Sequence, residues 1–105
     1  MRVVETPVFT SALRHHLDDD TYRTHQWALV LRPAQGPIIP GGGGLRKLRW
    51  SAQGRGKRGG IRLIYYWDPP SYTFYMLYLY AKNEQGDLTS SQTKTLARLV
   101  REEFT

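Results

Sequence analysis

The sequence predicts an α+β domain in which an antiparallel sheet, built from a short N-terminal strand and a three-strand meander, packs against two N-terminal helices and a C-terminal helix. Three observations lead there. Apolar residues recur at helical spacing in two early segments and one late one. Between them, β-branched and aromatic residues fill three short runs separated by turn residues. The chain has 105 residues, a length that suits a single domain over 1–105 with one core, so all these elements must pack on one another.

Taken in order, residues 3–6 read as a short strand opening on Val3 and Val4. Residues 10–17 read as a helix, with Leu13 and Leu17 four apart and Ala12 beside them. Asp18, Asp19 and Asp20 then supply a cap and a negative first turn, which the helix dipole favours, for a second helix over 21–31. Tyr22, Gln26, Leu29 and Val30 lie near one face of it, and Arg32-Pro33 ends it. Residues 34–44, with Gly36-Pro37, Pro40 and four consecutive glycines, read as a loop. Strands follow at about 45–50, 61–67 and 73–80. A polar, glycine-punctuated hairpin loop joins the first two, and Asp68-Pro69-Pro70-Ser71 turns the chain into the third. A last helix starts after Asp87-Leu88-Thr89, capped by Thr89 or Ser90, with Leu96, Leu99 and Val100 as its apolar side.

Charge narrows the function. Lys and Arg total 15 against 9 acids, a formal charge of +6, which favours polyanionic partners such as RNA. No acid occurs from Thr21 to Trp67, and seven cations fall between positions 46 and 62: Arg46, Lys47, Arg49, Arg55, Lys57, Arg58 and Arg62. There is no cysteine, hence no disulfide and no thiolate metal site. No apolar run approaches the roughly 18 residues of a membrane span, and the N-terminus lacks the apolar stretch of a signal peptide. The expectation is a soluble cytoplasmic protein with no membrane partner.

Strand alternation puts Lys47 and Arg49 on one face of their strand, opposite Leu48 and Trp50, and antiparallel pairing brings Arg62 beside them. Arg55, Lys57 and Arg58 border this surface from the hairpin loop. Like charges so placed repel one another unless an anion neutralises them, although a solvated basic face remains the plainer alternative. Tyr65, Tyr66, Trp67, Tyr72, Phe74, Tyr75, Tyr78 and Tyr80 crowd the last two strands. One set fills the core, and the other offers stacking platforms for unpaired bases or simply further sheet packing. Tyr80 ends its strand just where polar residues begin, which places it near an open site.

Other chemistries find little support. His15 and His16 are adjacent and point apart on a helix, and His25 stands alone, so none has the partner ligands a metal requires. The Asp18 to Asp20 run is accounted for by capping. Gly41 to Gly44 is followed by neither Gly-Lys-Ser nor Gly-Lys-Thr, so it is no nucleotide-binding loop. No serine triad can be assembled.

Three blocks then stand in order: Gly43-Gly44-Leu45-Arg46-Lys47-Leu48-Arg49; Gly54-Arg55-Gly56-Lys57-Arg58-Gly59-Gly60-Ile61-Arg62-Leu63-Ile64-Tyr65-Tyr66; and Leu79-Tyr80-Ala81-Lys82-Asn83-Glu84 with Asp87-Leu88-Thr89. Together they resemble the HigB-type toxins of the RelE/ParE toxin superfamily, strongly over about 43–101. The resemblance implies the RelE/ParE-like fold, a toxin of a type II toxin–antitoxin pair neutralised by a cognate antitoxin protein, and a ribosome-dependent mRNA endoribonuclease that uses no metal or cofactor. In that chemistry the RNA's own 2′-hydroxyl attacks the adjacent phosphate, while the enzyme orients, stabilises charge and moves protons. Lys47 and Arg49 match the family's basic pair on the central strand, and Arg62 matches the arginine opening the next. Lys82 and Asn83 fall where relatives place further catalytic or RNA-contacting residues. Arg46, Arg55, Lys57 and Arg58 are expected to grip mRNA or ribosomal RNA.

No histidine or tyrosine stands in the segment 82–89 to act as a base. A lysine with its pKa lowered by neighbouring cations, or Tyr80, would have to serve. A ParE-like inhibitor of DNA gyrase shares the fold without nuclease activity, and an inert RNA-binding module is a third possibility. Cleavage of ribosome-bound mRNA, set against inhibition of supercoiling, separates them.

Overall fold

Side chains mark each helix start. Thr6 Oγ1 accepts the N–H of Phe9 at 3.0 Å and caps α1 (Pro7–His16). Asp18 Oδ1 accepts the N–H of Thr21 at 2.8 Å and caps α2 (Asp19–Leu31). Thr89 and Gln92 form a reciprocal capping box at the start of α3 (Ser90–Leu99). The first helix thus begins earlier than residue 10, because Pro7 fits the first turn, where its missing N–H costs nothing. The computed structural model describes residues 1–51 and 60–104. Its strands are β1 (Arg2–Glu5), β2 (Arg46–Trp50), β3 (Ile61–Asp68) and β4 (Thr73–Ala81), and a short π-helical turn, Val100–Phe104, extends α3.

The sheet order is β1-β4-β3-β2. The meander β2-β3-β4 is antiparallel as expected, whereas β1 joins the outer edge of β4 in parallel, so the whole sheet is mixed. A strand that leaves through helices and re-enters the same sheet can run parallel to its neighbours, which a hairpin does not permit. Thr6 secures this edge, donating its N–H to Met76 O at 3.0 Å and its hydroxyl to Leu77 O at 2.8 Å.

Both faces of the sheet are covered. Phe9, Leu17 and Leu29 of the helical layer pack on Trp50, Leu63, Tyr65, Phe74, Met76 and Leu79. On the other face Ala97 and Val100 pack on Leu45, Ile64, Leu77 and Tyr80. A bulge adjusts β4 to this second layer. Pairing jumps from Ile64↔Tyr78 to Tyr65↔Met76, leaving Leu77 without a cross-strand partner, so that Leu77 and Tyr78 both join the α3 side.

The segment 32–45 is bound along the outer edge of β2. Tyr65 Oη donates to Pro33 O at 2.8 Å and accepts the Gly36 N–H at 3.1 Å, and Lys47 N donates to Pro37 O at 3.0 Å. Gly36 is required by crowding, since a Cβ there would lie 2.9 Å from Tyr65 Cε1. Gly41, Gly43 and Gly44 adopt positive φ, the conformation that explains the glycine run.

Candidate nucleic-acid interface

The alternation of β2 and its register with β3 decide where the cations go. Arg49 pairs directly across from Arg62, and Lys47 from Ile64. Arg62 in turn pairs with Tyr80, and Ile64 with Tyr78. Lys47, Arg49, Arg62, Tyr78 and Tyr80 therefore share the α3 face of the sheet. Arg49 is exposed, and Lys47 and Arg62 are partly so. Two arginines directly opposite each other repel, and among the described residues neither has a carboxylate within salt-bridge distance.

Lys47 alone of the three is neutralised. Its Nζ donates to Asp87 Oδ1 at 2.9 Å, and the same oxygen accepts the Leu88 N–H at 2.8 Å. The Lys47 hydrogen bond, with help from that N–H, holds the Asp87 carboxyl below the ordinary aspartate range. Asp87 is placed by the turn that leads into the capped start of α3. Gln85 Nε2 donates to Asp87 O at 2.9 Å and to Gln92 Oε1 at 2.6 Å, and Gln92 Nε2 donates to Tyr78 Oη at 3.2 Å. A cleft of about 240 Å³ opens beside the Lys47–Asp87 pair, lined also by Pro37, Ile39 and Leu88.

Tyr80 departs from expectation. Its side chain is 4% exposed, covered as part of the α3 core, rather than lying open. Its hydroxyl is buried without a hydrogen-bond partner. Burial pushes its pKa up, the Asp87 carboxylate adds to the rise, and Arg62 opposes it. A phenol so placed keeps its proton, which suits a donor better than a base. The open aromatic platforms are also fewer than expected: Tyr66, Tyr75 and Tyr78 pack against the α3 cluster.

Lys82 and Asn83 are exposed in the turn after β4, and the positive charge of Lys82 reaches Asp87. Arg46 is not brought into the cluster. It belongs to the opposite parity of β2, and its guanidinium donates to Gly36 O at 2.8 Å and to Ala34 O at 3.1 Å, tying down the loop. Arg55, Lys57 and Arg58 lie outside the described residues.

Two features escaped the sequence reading. Asp87 is read from sequence only as part of the helix start, the third acid after the sheet's cations, following Asp68 and Glu84. His25, read as a lone histidine, stacks on Trp50 with ring centroids 4.7 Å apart and planes 7° from parallel, and its Nε2 is 3.0 Å from Ser51 O. Among the described residues no three His, Asp or Glu side chains gather as a metal-binding group, and no helix is long and apolar enough to cross a membrane. The family model described as the RelE toxin of the RelE/RelB toxin–antitoxin system matches residues 1–104.

Proposed function

We propose a ribosome-dependent mRNA endoribonuclease, from the premise that this chain belongs to the RelE toxin family of the RelE/RelB toxin–antitoxin system. The family implies a cognate antitoxin as partner. The blocks at 43–49, 54–66, 79–84 and 87–89 support placing it on the HigB-like branch, acting in the cytoplasm on mRNA held by the ribosome. The observation that carries the reading is the Arg49–Arg62 pair, directly opposed across β2 and β3 and lacking a carboxylate among the described residues. Such a pair is suited to a phosphate that gains charge as it reacts.

In this reading the ribose O2′ bonds to phosphorus and the P–O5′ bond breaks, leaving a 2′,3′-cyclic phosphate and a 5′-hydroxyl end. Arg49 and Arg62 hold the non-bridging oxygens. Asp87, held beside Lys47, is the carboxylate at hand for the 2′-hydroxyl proton. Tyr80 lies buried beside Arg62 and supports this face from below, and the leaving O5′ takes its proton from water. Lys82 and Asn83 flank the strand's path. Among the loop cations, Arg55, Lys57 and Arg58 are proposed to contact RNA backbone.

The test is in vitro translation with mapped mRNA ends. Wild type should cut ribosome-bound mRNA and leave naked RNA intact. Arg62→Ala should lose about 10²–10³-fold in rate, the loss typical of removing one charge-stabilising donor, and Lys47→Ala should also be impaired. Tyr80→Phe should keep or raise Tm, because it removes a buried hydroxyl that lacks a partner, and should leave cleavage near the wild-type rate. Intact mRNA with wild type, together with inhibited supercoiling, would replace the nuclease with gyrase inhibition.

A further inference from the structure

A second recess lies around the outer edge of β2 from the cationic face. It measures about 420 Å³ and is lined by His25, Ala28, Gln35, Arg49, Trp50, Ser51 and Gly60. That volume falls at the lower end of the range for small-molecule sites, roughly 300–1,000 Å³. Arg49 belongs to both places: its strand position faces Arg62, and it is also among the residues that line this recess.

The polar groups in the recess are oriented by their own hydrogen bonds. A carbonyl oxygen can only accept, so the contact with Ser51 O puts the proton of neutral His25 on Nε2 and leaves Nδ1 an acceptor. Both amide protons of Gln35 are committed, to Ala28 O at 2.9 Å and Arg32 O at 3.0 Å, which leaves its Oε1 as an acceptor. The His25 ring lies flat against Trp50, which limits the side-chain entropy that binding costs. The recess thus combines a π-face, two acceptors and one exposed cation at its rim.

We infer that this recess receives an unpaired nucleobase bearing an exocyclic amino group, as adenine, cytosine and guanine do and uracil does not, from the nucleotide adjoining the phosphate held by Arg49. The amino group donates to the acceptors of His25 and Gln35. Adenine N6 and cytosine N4 are donors, whereas the uracil 4-position is a carbonyl that meets two acceptors unfavourably. The phosphate contact at Arg49 rests on the nuclease reading. Recognition of the base does not require cleavage.

The experiment is fluorescence anisotropy with labelled uridine octanucleotides carrying one central adenosine, cytidine or uridine, run at fixed salt. Wild type should bind the adenosine and cytidine strands about tenfold more tightly than all-uridine, the effect of one well-made base contact. Ala28→Phe, at an exposed helix position, fills the recess and should erase that difference. His25→Phe, which retains the stacking ring, should reduce the difference. Equal affinity for the three strands, or a preference that survives Ala28→Phe, overturns the inference. The same proteins assayed on translating ribosomes separate the two readings: base-selective binding without cleavage leaves the recess standing and removes the nuclease.

Discussion

At the scale of single residues, the Lys47–Asp87 pair links stability to pH. The folded-state pKa of Asp87 lies below its ordinary value of 3.8, so the pair's contribution is present above that value and is lost as pH falls through the depressed one. Both partners are substantially exposed, and water screens the pair, so its effect on global stability is small. The local titration is the better readout. Carboxylate NMR should place the Asp87 midpoint below 3.8 in wild type, and Lys47→Ala should raise it. An unchanged midpoint in the variant would show that the Leu88 N–H, not the ammonium, sets the shift. The sharing of one face by Lys47, Arg49 and Arg62 was legible in the sequence, because strand parity and a hairpin register are local properties. The burial of Tyr80 was not, since it depends on α3 folding back from residues 90–99 over the sheet.

At the scale of elements, the loop before β2 is as much part of the scaffold as the strands. Gly36 sits against Tyr65, which is fully buried and cannot yield, so Gly36→Ala should cost about 1–3 kcal/mol. Gly86→Ala is the control: nothing lies within 4 Å of an added Cβ there. Thermal unfolding of the two variants checks this, with a drop of about 4–8 °C per kcal/mol for a domain of this size. A Tm for Gly36→Ala equal to that of the control would mean that the Tyr65 clamp is loose. The three meander strands and three helices were readable from periodicity and turn chemistry. Two things were not. The parallel docking of β1 on β4 joins segments far apart in sequence, and the bulge at Leu77 leaves no mark in a run of alternating aromatics. The His25 recess is likewise assembled from α2, β2 and the flanking loops, with no local motif to announce it.

At the scale of the whole molecule, a formal charge of +6 biases association with any polyanion, and counterion release makes that association fall with salt. For single-stranded RNA, each lost phosphate contact should reduce the slope of log affinity against log salt by about 0.7. Arg62→Ala should flatten the slope by that amount. Arg46→Ala, whose guanidinium serves loop carbonyls, should leave the slope nearly unchanged while lowering Tm. Similar slopes for both variants would mean that overall charge, rather than the Arg49–Arg62 arrangement, governs binding.

The parallel seam between β1 and β4 also has a consequence for biosynthesis. Arg2 pairs with Thr73, so β1, once made, waits for a partner that lies far along the chain. The meander, whose contacts are nearer in sequence, can assemble without that delay. The basic face draws on β2, β3, β4 and the turn at Asp87, so it is complete only once residue 87 has been made. Until then a growing chain cannot present the finished surface. Pulsed hydrogen exchange during refolding should find the β1 amides protected after those shared by β3 and β4. Simultaneous protection would place the seam within the folding nucleus.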